Sequence, residues 1–324
     1  MTTEEVRLAL PMRETIEAMK LAFGQLSAGD ATVPLRSRID VADRKGVTLL
    51  MPALLSGTDE LALKVVSVFP ENLRRGLPTI HALVVALDPE TGQPIAVIEG
   101  GILTAIRTGA GSGAATDLLA KPDAKRLAIF GAGVQARTQL EAVCSVREIE
   151  SVSIFSLEPD RSQVFLAEAA SQPWTPSSID VADSASNAIA KADVVCTATT
   201  SKWPVFNGSE IQPGTHVNAI GSFTPTMQEV DSAMVERSLV VVDSREAVLA
   251  ETGDLIIPIE EGRISKDHIH AELGEIVNGS RPGRTDFDQI TFYKSVGVAV
   301  QDVAAAGLAL KNAERLGLGQ VVDL

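Results

Sequence analysis

Residues 127–143 read LAIFGAGVQARTQLEAV: a short apolar run, then Gly131-Ala132-Gly133, then an amphipathic stretch. A strand that passes into a helix across two glycines constrains the chain more than any other segment, because it sets the element type on both sides. The rhythm then repeats. Apolar runs at 127–130, 151–155, 194–197, 216–220 and 239–242 alternate with helical stretches. That alternation predicts a parallel sheet with helices on both faces, a Rossmann-type doubly wound α/β domain.

The preceding part has a different texture. Residues 12–28 carry Ile16, Met19, Leu21, Phe23 and Leu26 at helical spacing before Gly29-Asp30. Residues 47–55, 61–69 and 80–87 are strand-like, and Asp88-Pro89-Glu90-Thr91-Gly92 is a turn leading to another strand at 94–99, a predicted hairpin. Residues 103–119 form a helix dense in Ala and Gly. A last helix, 295–316, has almost no charge before Gln301-Asp302 and is expected to return to the first domain. A chain of 324 residues suits about two domains. The expected division is a discontinuous mixed α+β domain, 1–120 and 296–324, for substrate binding and dimerisation, and a dinucleotide-binding domain over 121–295.

The net charge is −14, which argues against nucleic acid or an anionic membrane as the main partner. No apolar run approaches the roughly 20 residues of a membrane helix. The acidic opening MTTEEVRLALPM lacks the pattern of a signal peptide. Cys144 and Cys196 lie in apolar contexts and are read as buried free thiols. A soluble, cytoplasmic protein is expected.

Gly131-Ala132-Gly133-Val134-Gln135-Ala136 fits G-x-G-x-x-A. The first glycine permits the tight turn, the second lets a pyrophosphate approach the backbone, and the small third residue lets helix and strand pack closely. Helix-start N–H groups then face the phosphates. The competing reading is an ordinary glycine turn. Past the next strand, Ser156 stands where an acidic residue often binds the ribose hydroxyls, with Glu158 and Arg161 beyond it. Glu158 favours NADH and Arg161 favours NADPH, with a slight lean to NADH; a solvated loop explains both equally well. Thr197, Ala198, Thr199, Gly221 and Lys294 complete the expected cofactor-binding residues.

Arg36, Lys64 and Arg107 are basic residues in otherwise apolar or small-residue segments. A buried charge needs a partner. That partner is either a neighbouring Asp or Glu or a substrate carboxylate, which Arg can hold through two parallel hydrogen bonds. Thr108 follows Arg107 and suits either a hydrogen bond to cofactor or substrate or helix packing. Met51 is a pocket-lining candidate that also reads as core. His81 reads equally as a core histidine or a pocket residue. His268 and His270 lack partners at zinc-like spacing, so no metal is expected.

The segments VPLRSR (33–38), LLMPALL (49–55), LKVVSVFPEN (63–72), GLPTIHALVVALDPETGQPIAVIEGG (76–101), LTAIRTGAGS (103–112), IFGAGVQA (129–136), NAIGSFTPTMQEVD (218–231), AELGEIVNG (271–279) and YKSVGVAVQD (293–302) resemble, in order, the ornithine cyclodeaminase/mu-crystallin family. The resemblance implies a Rossmann domain beside a substrate and dimerisation domain, a homodimer, and work on α-imino or α-amino acids. It also implies that Arg36, Lys64 and Arg107 grip the substrate carboxylate, with Lys64 closest to the chemistry.

At Gly221-Ser222-Phe223-Thr224-Pro225 the chain departs from the cyclodeaminating members, which the resemblance gives an aspartate at the position of Phe223. Phenylalanine accepts no proton and no ammonium hydrogen bond. The expected reaction is therefore NAD(P)H-dependent reduction of a cyclic imino acid, Δ1-pyrroline-2-carboxylate or piperideine-2-carboxylate, with Phe223 packing on the ring; a core role for Phe223 is the other reading. Alanine dehydrogenase, N-alkyl amino acid dehydrogenase, ornithine cyclodeaminase and a non-catalytic nicotinamide-dependent binding protein remain as alternatives.

Overall fold

The computed structural model describes residues 1–322. The chain forms two compact units, Met1–Arg107 with Ala299–Leu324, and Thr108–Val298. The division falls within the helix Gly100–Leu119, earlier than the expected boundary after residue 120. The second half of that helix is tied into the second unit. Arg147 donates from Nη2 to the carbonyls of Thr116, Asp117 and Ala120, and Asn218 Nδ2 donates to Thr116 Oγ1 at 2.9 Å.

The first unit contains β1 (Ala31–Thr32), β2 (Ser37–Val41), β3 (Gly46–Leu55), β4 (Glu60–Val68), β5 (Ile80–Leu87) and β6 (Pro94–Glu99), all paired antiparallel in the order β1-β3-β4-β5-β6, with β2 also on β3. The β5–β6 hairpin turns on Asp88, whose Oδ1 accepts from the N–H groups of Glu90 and Thr91. Strand alternation puts Met51 and Ala53, Ala62, Lys64 and Val66, and Val84 and Ala86 on the buried face. The helix Ala299–Leu316 packs on β3, β4 and the helix Met12–Ala28. Its Ala304, Ala305, Ala309 and Ala313 are buried, and such small side chains allow a close approach to the sheet. On the opposite sheet face Leu83, Ile95 and Val97 are exposed by 39%, 56% and 54%.

The second unit contains β7 (Arg126–Phe130), β8 (Ser151–Phe155), β9 (Ser178–Val181), β10 (Val194–Thr197), β11 (His216–Ala219), β12 (Ser238–Val242), β13 (Ile269–Glu272) and β14 (Ile290–Lys294). They form one parallel sheet in the order β13-β12-β14-β11-β10-β7-β8-β9. Alternation splits its core in two. Leu127, Ile129, Val152, Ile154 and Val194 pack with Ala136, Leu140 and Phe165, whereas Ala128, Phe130, Val195, Val217 and Phe292 pack with Ile189, Met234 and Leu255. Both faces are therefore covered, as a doubly wound sheet requires. Strand order reverses between β7 and β10, so their carboxyl ends flank the crevice where such sheets bind ligands.

The last helix starts at Ala299 rather than at residue 295. Asp243 Oδ2 accepts from Ser295 Oγ and from the N–H groups of Val296 and Gly297 at 2.8, 2.9 and 2.8 Å, which holds this segment in a loop. Among the described residues no helix is long and apolar enough to cross a membrane.

Candidate active site

In the first unit the buried ionic groups converge on Asp302. Lys64 reaches the inner face of β4 and places Nζ 2.6 Å from Asp302 Oδ2. Arg107 donates from Nε to Asp302 Oδ1 at 3.0 Å and from Nη1 to Gln301 Oε1 at 2.9 Å. Lys64, Arg107 and Asp302 are only 2%, 5% and 1% exposed. The ladder partners of Lys64 are Met51 on β3 and Val84 on β5, both buried. This apolar surround strips water from the amine and lowers its pKa to about 8; Asp302 works in the opposite direction, and Arg107 and Arg36 add to the lowering. Arg36 is half-buried just before β2. With Lys64 protonated, two cations, Lys64 and Arg107, face the one carboxylate of Asp302, a balance that suits an anionic ligand.

Lys64 and Arg107 thus make the ion pairs of the structural reading, sharing one protein carboxylate. Asp302 and Gln301 were not singled out as site residues from sequence. Their signal was available, as the first polar pair in a nearly uncharged stretch.

In the second unit the glycine turn links β7 to the helix Val134–Val146. Gly131 has φ 107°, and a Cβ there would lie 2.5 Å from Ala198 O, so the turn after β7 and the chain after β10 need a residue without a side chain. Gly133 is the N-cap of the helix and supplies no side-chain cap; a Cβ on it would meet nothing within 4 Å. Open space over uncapped first-turn amides fits a pyrophosphate. Val134 is exposed and Ala136 buried, with Gln135 between these extremes. Arg137 adds a feature missed from sequence. Its Nη1 donates to the carbonyls of Ala132 and Gly133, both at 2.9 Å, and its guanidinium lies 4.9 Å from the Phe165 ring centre. It draws the turn's carbonyls toward itself, while its Nε pairs with Glu168 Oε2 at 2.5 Å.

Beyond β8, Ser156 is half-buried and accepts from Glu158 N at 3.0 Å. Arg161 and Glu158 are exposed and paired at 2.9 Å. Thr108 is half-buried on the helix Gly100–Leu119.

Past β10 and β11 the expected cofactor residues meet through Glu229. Its carboxylate accepts from Thr197 Oγ1 at 2.9 Å and from Thr199 N, Thr199 Oγ1 and Gly221 N, each at 2.7 Å. Ala198 lies between the two threonines, against Gly131. Lys294 is fully buried at the end of β14, 3.0 Å from Asp254 Oδ2, and donates to Ser222 O at 2.8 Å. It therefore supports the segment carrying Phe223 from the interior. Phe223 itself is 49% exposed rather than in the core. Glu229 and Asp254 gave no spacing signal; only the fold assembles them.

His81 is exposed on β5, on the sheet face away from Lys64, so it is neither core nor paired with that amine. His268 Nε2 and His270 Nε2 lie 2.9 and 2.8 Å from the carbonyls of Val235 and Pro282. Among the described residues no three His, Cys, Asp or Glu side chains cluster to hold a metal.

The molecule has full-length likenesses among known proteins. Over 99% of its length and 98% of the relative's, it is 41% identical to the Δ1-pyrroline-2-carboxylate reductase of Bacillus cereus. The structure of Thermococcus litoralis Δ1-pyrroline-2-carboxylate reductase in complex with NADH and L-proline superposes with a TM-score of 0.94 at 44% identity, covering 98% of each chain. An archaeal alanine dehydrogenase dimer with bound NAD gives a TM-score of 0.92 at 32% identity over 99% of this chain and 97% of that one. The sequence model of the ornithine cyclodeaminase/mu-crystallin family matches residues 1–316. The glycine turn, the doubly wound sheet and these full-length likenesses agree: the chain belongs to the ornithine cyclodeaminase/mu-crystallin family.

Proposed function

We propose that this protein is an NAD(P)H-dependent ketimine reductase that converts a cyclic imino acid, Δ1-pyrroline-2-carboxylate or piperideine-2-carboxylate, to L-proline or L-pipecolate. The observation that carries the reading is Lys64, a buried amine with its pKa drawn down to about 8, beside Arg107 and sharing Asp302 with it. Such a group is charged enough near neutrality to attract a carboxylate and releases a proton easily enough for acid–base work. The relatives named Δ1-pyrroline-2-carboxylate reductase give the same substrate class.

Arg107 and Arg36 hold the substrate carboxylate and so fix the neighbouring imine carbon. Lys64 orients that carboxylate, holds a proton at Nζ for the imine nitrogen, or does both. Asp302 keeps Lys64 and Arg107 in place. Phe223 offers an apolar ring to the substrate ring, where an acid would suit a second amino group. Gly131, Gly133, Val134 and Gln135 take the pyrophosphate, with Ala136 buried as the small packing residue, and Thr108, Ala198, Thr199 and Gly221 line the remainder of the dinucleotide, with Thr197 buried behind them on Glu229. When bound, the reduced nicotinamide supplies hydride to the imine carbon. NADH is favoured over NADPH because Arg161 is already engaged by Glu158 and a 2′-phosphate would approach that acid.

A homodimer is part of the reading. Leu83, Ile95 and Val97 leave an apolar sheet face in need of cover, and the archaeal alanine dehydrogenase is a dimer. Sedimentation velocity reads this directly as the mass of two chains, against one. Cys144 and Cys196 are free thiols, in keeping with a cytoplasmic setting.

The test is steady-state turnover of Δ1-pyrroline-2-carboxylate by the native enzyme and by Phe223→Asp. The native enzyme is expected to turn the ring imine over, and the variant to lose about tenfold or more in kcat/KM through lost apolar contact. Inactivity of the native enzyme on ring imines would end the reading. Equal rates in the two proteins would remove Phe223 from substrate recognition.

A further inference from the structure

Glu229, Asp254 and Lys294 form a buried ionic cluster behind the turns that follow β10 and β11. Each is 0% exposed. Lys294 Nζ lies 3.0 Å from Asp254 Oδ2 and donates to Ser222 O. Asp254 Oδ1 accepts from the backbone N–H groups of Glu229 and Val230 at 2.6 and 3.1 Å. Glu229 takes four donors, two of them backbone N–H groups that cannot reverse roles. That donor set suits an ionised carboxylate: Oε1 accepts from Thr199 twice and Oε2 from Thr197 and Gly221. Burial and the nearby Asp254 push the Glu229 pKa upward, while Lys294 and the Thr199 donors oppose them. With both acids ionised, two carboxylates face one ammonium, a balance of one negative charge among side chains that are 0% exposed.

The position of this charge has a functional meaning. In a doubly wound dinucleotide fold the glycine turn takes the pyrophosphate, the β8 side takes the adenosine, and the β10–β11 half takes the nicotinamide. Thr199 and Gly221, the residues that Glu229 grips, belong to the turns of that half. A structural tether there needs only donors and acceptors, and an amide would satisfy part of that need. An unbalanced carboxylate also acts on charge. The nicotinamide ring is neutral when reduced and positive when oxidised.

We infer that Glu229, with Asp254 and Lys294 behind it, is an electrostatic positioning residue that makes the nicotinamide half of the site bind the oxidised dinucleotide better, relative to the reduced one, than a neutral wall would. The inference rests on the dinucleotide reading above and extends it. A preorganised negative charge stabilises positive charge that develops on the ring, with no reorganisation at the moment of transfer. It favours imine reduction, the direction that generates the oxidised form.

The experiment measures dissociation constants of NAD+ and NADH for the native enzyme and Glu229→Gln, by calorimetry without substrate. The inference predicts that Glu229→Gln weakens NAD+ more than NADH, changing the ratio of the two constants by roughly fivefold or more. Equal weakening of both forms, or none, would overturn it and leave Glu229 as a tether. Asp254→Asn is the second variant, for the case in which Glu229→Gln does not fold: it removes one negative charge and leaves the four bonds to Glu229 in place. It should shift the ratio in the same direction, and an unchanged ratio there also overturns the inference. If the native protein binds neither form, the dinucleotide reading itself fails, a result distinct from an unchanged ratio.

Discussion

Lys64→Met should lower turnover of a ring imine at least a hundredfold while leaving the NADH dissociation constant within about twofold of native, because general acid–base groups contribute about 10²–10⁴ in rate. Methionine keeps much of the length and the apolar stem of lysine and removes the charge and the proton. The neighbours on β3 and β5, Met51 and Val84, are apolar and accept the change. The native enzyme carries a second signature of the same residue. Lys64 has its pKa lowered to about 8, so it is protonated below that value and neutral above it. If the protonated amine is required, kcat/KM for imine reduction falls as pH rises through about 8, and in the reverse direction amino-acid oxidation rises through the same range. Near-native rates in Lys64→Met, or a profile with no limb before the ordinary lysine range, would make Lys64 a structural ion-pair partner only.

Asp302→Asn should act on both stability and pH dependence. Removing one partner of a buried pair leaves uncompensated charge, at a cost of about 3–5 kcal/mol. Here two cations, Lys64 and Arg107, lose their shared carboxylate at once. Asn can accept a hydrogen bond from one of them and cannot neutralise either. Asp302 also raises the Lys64 pKa against the desolvation that lowers it. Its loss should therefore move the alkaline limb of imine reduction below about 8, toward more acidic pH. Thermal unfolding of the free enzyme and a pH profile of the variant measure the two effects separately. A stable variant with an unshifted limb would show that Asp302 does not control Lys64.

Much of this architecture was written in local pattern. The run 127–130, the two glycines and the following amphipathic stretch gave the β7 turn, and Asp88 to Gly92 gave the β5–β6 hairpin, because each signal lies within a few residues. β9, β13 and β14 gave no such signal. β14 reads Ile290-Thr-Phe-Tyr-Lys294 and ends in a lysine, a residue that marks solvent in most strands. It lies inside the sheet, between β12 and β11, where Asp254, 40 residues earlier in the chain, pairs with that lysine. The last helix starts later than its sequence suggests for a similar reason, since Asp243, in a distant segment, binds the Ser295 hydroxyl and the N–H groups of Val296 and Gly297.

The candidate site divides in the same way. Lys64 and Arg107 stood out as charges in apolar sequence, and Gly131 and Gly133 as turn residues. Asp302 and Glu229 act through partners 238 and 195 residues away in the first case and 30 and 32 in the second, and no local spacing encodes such convergence. The residues proposed to touch ligand were legible because their chemistry is unusual for their surroundings. Those that hold them were harder to read: Gln301-Asp302 stood out only as a polar pair in an apolar stretch, and Glu229 looks ordinary until its partners arrive.

The central claim is ring-imine reduction, and its most direct measurement is loss of reduced-nicotinamide absorbance with a panel of substrates. The panel comprises Δ1-pyrroline-2-carboxylate, piperideine-2-carboxylate, and pyruvate with ammonia or methylamine, each with NADH and NADPH. The account predicts rapid turnover of a ring imine, much slower turnover of pyruvate with either amine, and a preference for NADH. Turnover of pyruvate with an amine in the absence of any ring-imine activity would contradict it and make the protein an acyclic amino-acid dehydrogenase.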